Sequence, residues 1–299
     1  MSLRTSAGIA QVRHLSSAFD LSPAALYKAA HATNETPAVR SAKINPAFVP
    51  DDVLFGAIDE LTAKHPGLGY RKIWALLRRA GTRVGRRRAW AMMHAAGLTF
   101  QPNARRSEPR RGTVVAEFPN RRWSSDMTTT WTRNDGWIAI TPVIDNGCRT
   151  LLAIGISKAQ DATAILAPTR RALEEAFGSP LAVPDGLEYR TDHGSVFTGS
   201  DCGSLCQTWR LDHTFSPVGR PTGNAVAERI IQTMKIELLW TRDWENLEEL
   251  RVALEQWRLF YNIERPHEAL NWETPAERRA ESIAGPVSYT HLDVYKRQV

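Results

Sequence analysis

Cysteine is scarce in this 299-residue chain, which holds only Cys148, Cys202 and Cys206. An odd count of three builds no disulfide framework and fits a reducing compartment. Cys202 and Cys206 stand four apart, but no histidine pair accompanies them at zinc-finger spacing. They are expected to pack as small apolar side chains on one helix. No run of 18 apolar residues is present, which excludes a membrane-spanning helix. The N-terminus lacks the apolar stretch of a secretory signal, and no heptad run of leucines marks a zipper. A cytoplasmic protein with no membrane partner is the expectation.

What is present suits a folded, basic protein. Hydrophobic residues make up 42% of the chain and aromatics 8%, enough for a sizeable core. The net charge is +6 with a pI near 9.4, compatible with nucleic acid without proving it. The distribution is more telling. Residues 65–112 hold twelve Lys or Arg against one acid, Glu108, so the remainder is close to neutral or slightly acidic.

Five segments follow from the local patterns. Residues 1–45 read as a short helical segment, started by Ser22–Pro23, and a polar linker. Residues 50–98 read as three helices, the first amphipathic with Val53, Ile58 and Leu61 inward and an acidic start. The second and third are joined by an Ala-Gly-Thr-Arg turn, and the third opens with Arg86, Arg87 and Arg88. Two short helices around a glycine turn resemble a helix-turn-helix, in which arginines at the second helix meet DNA. A helical hairpin with a solvated basic face has the same pattern. Residues 99–120 form a basic, proline-bearing linker that can track phosphates. From 121 to 280 strands and helices mix. RWSSDMTTTWT, GWIAITPVID and RTLLAIGIS are strands, the last two joined by Asp-Asn-Gly, where Asp145 caps the turn. A helix, a strand ending near EYRTD, a helical piece around CGSLCQTW, the strand LDHTFSP and two long helices follow. The order predicts an α/β fold with a mixed sheet. Residues 285–299 continue no pattern. The string SYTHLDVYKRQ resembles translated sequencing-adaptor read-through, and this tail is set aside as non-native.

Three acids stand where chemistry on phosphates would need them. Asp126 interrupts a β-rich run, Asp192 ends a strand and precedes His-Gly, and Glu228 lies on the helix after Asn224. On a helical wheel, Val226, Ala227, Ile230, Ile231, Met234 and Leu238 fill one arc of about 140°. Glu228 and Lys235 lie within about 20° of each other at its edge. An outward strand residue, a turn aspartate and a surface pair account equally for these positions taken singly. Hard carboxylate oxygens converging on one point would hold a pair of divalent cations. Glu237 lies on another helix face, and Asp212 has no assigned role. His213 and His267 read as structural histidines or metal ligands.

Taken in order, the motifs are more specific. Trp123-x-x-Asp126, Thr-Asp-His-Gly-Ser-Val-Phe at 191–197 and Pro-Thr-Gly-Asn-Ala-Val-Ala-Glu at 221–228 resemble the signatures of the retroviral-integrase-type transposase core. Thirty-five residues separate Asp192 from Glu228, and Lys235 follows seven after the glutamate, as in that family. Tyr261-Asn262, Arg265-Pro266-His267 and Thr274-Pro275-Ala276-Glu277 resemble its C-terminal signature. The segment from His65-Pro66 to Leu98 resembles the helix-turn-helix ahead of that core. The likeness is greatest to second-reading-frame (OrfB) transposases of bacterial insertion sequences, and spans roughly residues 10–280. His193 replaces a usual Asn, and Gly223 a frequent Asp.

The resemblance implies a ribonuclease-H-like, mixed five-stranded sheet with flanking helices behind a small all-α region. It implies that Asp126, Asp192 and Glu228 hold two Mg²⁺ or Mn²⁺ ions for metal-dependent strand cleavage and strand transfer at element ends. Lys235, Asn224 and His193 would position DNA near the metals, and Arg86, Arg87 and Arg88 would contact the end sequence. Double-stranded DNA, further copies of this chain on that DNA and a first-reading-frame (OrfA) partner are the implied partners, in a bacterial, nucleoid-associated setting. A ribonuclease-H-like DNA nuclease and an inactive DNA-binding remnant are the competing functions.

Overall fold

The computed structural model describes residues 49–99, 116, 118–216 and 224–284. The expected N-terminal helical segment, nearly all of the basic linker, the Pro221–Gly223 stretch and the C-terminal tail lie outside the described residues.

Three helices open the described chain: α1 (Asp51–Lys64), α2 (Tyr70–Arg79) and α3 (Arg86–Ala95). Asp51 and Asp52 sit in the first turn of α1, where the helix dipole favours negative charge. Leu54 and Ile58 form its buried stripe. Val53, expected inward, is 57% exposed. An i, i+4 pair starting at Leu54 suffices to seat the helix and turns Val53 by about 100° toward solvent. Gly81 takes a left-handed φ of +87° in the turn after α2, and the Trp74 indole donates across that turn to the Val84 carbonyl at 2.9 Å.

The sheet has six strand segments: β1 (Arg122–Ser125), β2 (Thr128–Thr132), β3 (Gly136–Asp145), β4 (Leu151–Ser157), β5 (Glu188–Thr191) and β6 (Asp212–Phe215). They occupy five lanes. β1 and β2 both pair antiparallel with β3, and the register does not slip between them: Ser125 faces Val143 and Thr128 faces Ile140. They are one strand interrupted at Asp126–Met127, so the expected five strands appear as six. β4 lies on the far side of β3, while β5 joins β1 in parallel and β6 joins β5 in parallel. Parallel neighbours need crossovers. These are α4 (Ala162–Phe177), capped by Asp161, and the pair α5 (Ser195–Thr198) and α6 (Ser200–Thr208).

Alternation along β3 divides two cores. Ala139 and Val143 face α4 with Trp123, Leu166 and Leu173. Ile138, Ile140 and Ile144 face α7 (Ala225–Met234) with Ala227, Ile230 and Met234. The second core runs on without a break through Trp257 of α8 (Leu247–Leu259) to Leu54, Ile58 and Ile73 of the N-terminal helices. Each such buried side chain stabilises the fold by about 1.5–3 kcal/mol relative to exposure. Gly67 marks the join: a Cβ there would sit 2.4 Å from Glu237 Cα.

Both long helices continue into wide π turns, Lys235–Leu239 after α7 and Phe260–Glu264 after α8. A π turn carries more residues than an α turn and advances the buried face. Leu239, rather than the expected Leu238, is therefore the buried leucine. α9 (Pro275–Ala284) closes the described chain. Its start is a capping box in which Thr274 Oγ1 accepts from Glu277 N–H and Glu277 accepts from Thr274 N–H, at 3.2 and 2.8 Å.

Candidate active site

The sheet itself brings two of the three acids together. β1 and β5 run parallel with Arg122 beside Glu188, Trp123 beside Tyr189 and Ser124 beside Arg190. Continued two residues past the last of these pairs, that register sets Asp126 beside Asp192, on strands about 4.8 Å apart. Both residues follow the carboxyl ends of their strands, and both carry the parity of Ser124 and Arg190, so they share the sheet face that α7 covers. Thr191, one residue earlier, belongs to the opposite face.

The third acid comes from α7. Asn224, its N-cap, is 4% exposed and donates from Nδ2 to the Ser125 carbonyl at 3.1 Å. That bond fastens the start of the helix to the residue before Asp126. Glu228 stands one turn further on and donates an ordinary helical bond from its amide N–H to Asn224 O at 3.0 Å. Asn224 Oδ1 is buried and has no hydrogen-bond partner among the described residues.

Electrostatics register the convergence. Burial pushes the Asp126 carboxyl up to about 6, and the charges of Asp192 and Glu228 add to the rise. A 2.7 Å hydrogen bond from Met127 N–H to Asp126 Oδ1 and the Lys235 ammonium act against it. Thus four side chains from three distant stretches of sequence feel one another. Their carboxylate oxygens do not all lie within 4.8 Å of one another. Asp192 is oriented by accepting from Gly194 N–H at 3.0 Å, and a Cβ on Gly194 would come 3.0 Å from that same oxygen. The donor set of two aspartates, a glutamate and an orphaned amide oxygen is all hard oxygen, which suits Mg²⁺ or Mn²⁺ rather than softer metals.

The remaining residues singled out in the sequence are scattered more widely. The His193 ring stacks on Phe215 of β6 at 5.0 Å. Lys235 lies 5.9 Å from the Trp240 ring and lines a groove of ≈ 840 Å³ with Trp131, Trp137 and Trp240. These tryptophans are 55%, 58% and 69% exposed. Large aromatics left in water beside a cation form a surface that sequence reasoning missed, since each alone reads as a strand or helix residue. In the helical region, Arg86 lies over the Trp74 ring at 5.3 Å and Arg87 is exposed. Arg88 is engaged within the fold, bonded to Asp51 and, at 2.6 Å, to the Val49 carbonyl. It fastens α3 to the start of α1.

The C-terminal signature is structural. Asn262 satisfies both backbone groups of Leu151, its Oδ1 accepting from the amide and its Nδ2 donating to the carbonyl at 2.9 Å each. Arg265 forms a buried, two-pronged pair with Glu237 at 2.7 and 2.8 Å, which Lys72 of α2 joins at 3.6 Å. His267 packs beside it, held neutral: burial, then the Arg265 charge, push it down to about 2. Asp145 is fully buried and does more than cap its turn, accepting from Gly147 N–H, Asn120 N–H and Arg279. Among the described residues no helix is long and apolar enough to cross a membrane.

Comparison with known proteins gives three family matches. Two family models described as integrase core domain match residues 116–221 and 209–275, and one described as HTH-like domain matches residues 50–106. The chain is 27% identical over 255 residues to an insertion element IS407 protein of Burkholderia multivorans, covering 81% of this chain and 87% of that one. It is 28% identical to the transposase for insertion sequence element IS629 of Shigella sonnei, covering 71% of this chain and 74% of that one. A chain of the simian T-cell lymphotropic virus intasome, solved in complex with a PP2A regulatory subunit, aligns over 74% of each chain at 16% identity with a TM-score of 0.47. Residues 50–275 thus comprise an HTH-like domain followed by an integrase core domain, and the chain is a relative of insertion-element transposases.

Proposed function

We propose that this protein is an insertion-sequence transposase that cleaves DNA at element ends and joins the freed 3′-ends to target DNA. In this reading Asp126, Asp192 and Glu228 are the catalytic carboxylates, residues 121–280 the catalytic unit and residues 50–98 the DNA-binding unit. The observation that supports it is the parallel β1–β5 register over residues 122–124 and 188–190, whose continuation would set the two aspartates side by side under a helix whose first turn supplies the glutamate.

The carboxylates would hold two Mg²⁺ or Mn²⁺ ions, which when bound supply activation of the attacking oxygen and neutralisation of charge on the leaving one. The chain's own residues do the positioning. Asp126 directly follows β1, which is paired with β3 and β5, and its carboxylate accepts from Met127 N–H. Asp192 is aimed by its bond to Gly194 N–H, and Glu228 by the Asn224–Ser125 tie. Lys235 and the exposed Trp131, Trp137 and Trp240 offer a cation and flat rings to a phosphate backbone and to unpaired bases. Asn224 and His193 flank the same strand ends. Arg86 and Arg87 face outward from the helical unit toward the element end, while Arg88 supports them through Asp51. Two DNA ends must meet, so further copies of this chain act together on DNA; an OrfA partner would add a further DNA-binding segment.

The test is incubation of labelled element ends with Mg²⁺. The reading expects nicked ends and joined products, both lost in Asp192→Asn with DNA binding kept. Hydrolysis without joined products supports a ribonuclease-H-like nuclease. Equal, negligible activity in the two proteins with binding intact supports a DNA-binding remnant.

A further inference from the structure

On the sheet face away from Asp126 lies a cluster that strand transfer does not use. α6 carries Cys202 and Cys206 one turn apart, and β6 carries His213 opposite Tyr189. One ligand atom from each of the three lies within 4.8 Å of the other two. Cys202 is 0% and Cys206 5% exposed, and His213 is half-buried. His213 Nε2 stands 4.0 Å from Cys202 Sγ and 3.0 Å from the Thr191 hydroxyl. A tetrahedral zinc would set the sulfur–nitrogen separation at about 3.6 Å. The gap closes by a few tenths of an ångström.

Packing alone does not require this arrangement. Two cysteines four apart on a continuous helix hold their Cβ atoms about 5–6 Å apart, whereas a disulfide needs about 3.8 Å. Oxidation within the pair would unwind α6. Two sulfurs and an imidazole are, however, a ligand set that selects thiophilic cations over Mg²⁺.

We propose that Cys202, Cys206 and His213 form a three-ligand site for a thiophilic divalent cation, zinc foremost, in which the ion takes the place of the Thr191 hydroxyl at His213 Nε2. The ion would pin β6, paired with β5 alone among the described residues, to the helix that precedes it. β5 ends one residue before Asp192, so the clamp steadies the strand end that presents that carboxylate. The inference stands independently of the transposase reading, since it rests on other residues on the opposite face.

Titration of the chelator-treated full chain with Co²⁺ tests it. The wild-type protein should develop a thiolate-to-cobalt charge-transfer band that saturates at one ion per chain, persists in excess Mg²⁺ and disappears when Zn²⁺ is added. The band should be lost in Cys202→Ser and in Cys206→Ser, weakened in His213→Gln, and unchanged in Cys148→Ser and in Asp126→Asn. No band in the wild-type protein would overturn the proposal whether or not the variants fold. A band surviving in both serine variants, or lost in Cys148→Ser, would overturn it equally.

Discussion

Replacing Asp126 by asparagine should stabilise the metal-free protein while abolishing its activity. Asp126 sits in a partly buried site with Asp192 and Glu228 for neighbours, and its carboxyl is raised from 3.8 to about 6. A shift of that size is about 3 kcal/mol between the neutral and charged forms. Partial exposure of the site screens part of it, leaving about 1–2 kcal/mol for the neutral amide to recover at pH 7.5. The Met127 amide keeps an acceptor in Asn. For a chain of this size each kcal/mol moves the melting temperature by about 2–4 °C, so the variant should melt roughly 2–8 °C higher. The sign with pH follows from linkage. The folded pKa lies above the unfolded one, so the folded state holds the proton longer. The wild-type disadvantage is absent below about pH 4, grows through pH 4–6 and is flat above. Thermal melts of both proteins in chelator from pH 4 to 8 provide the assay, with far-ultraviolet circular dichroism as the probe. Mg²⁺ should then raise the wild-type melting temperature and leave the variant unmoved. A variant less stable than wild type at pH 7.5 without metal, or a difference independent of pH, would refute the reasoning.

Four further substitutions probe the surroundings. Glu237→Gln leaves Arg265, Lys72 and their charges inside the join between the helical region and the core, and should cost about 3–5 kcal/mol in urea unfolding. Trp240→Ala should weaken binding of single-stranded DNA by about 1–3 kcal/mol in a fluorescence titration, with the salt slope unchanged, because it removes a stacking face and no charge. Arg87→Ala should lower the salt slope of DNA binding by about 0.9 if that guanidinium meets one phosphate, whereas Arg88→Ala should lower the melting temperature instead, through loss of the Asp51 and Val49 contacts.

Much of this architecture could be read from the chain. Runs rich in β-branched and aromatic residues marked the strands, and Asp-Asn-Gly marked the β3–β4 turn. Asp126 and Asp192 stood out because a carboxylate inside a strand, or just past its end, contradicts local preference, and Glu228 by its spacing from Asp192 and Lys235. What escaped was long-range. Val53 turns outward because α1 needs only Leu54 and Ile58 to seat it. The phase change past Met234 comes from a π turn with no local signature. Arg88 looked like a DNA contact because Asp51, its partner, lies 37 residues away. Cys202 and Cys206 looked like packing because their third companion arrives on a strand, not in the same helix. Glu237 had no evident role until Arg265 folded back onto it. The groove of Trp131, Trp137 and Trp240 joins a β-hairpin to the end of a helix about a hundred residues later.

The most direct measurement is the anomalous scattering of crystals grown with Mn²⁺. Manganese about 2.1 Å from oxygens of both Asp126 and Asp192, with Glu228 turned toward it, is the result the carboxylate cluster predicts. Manganese bound elsewhere, while all three carboxylates stay free of it, would contradict the account.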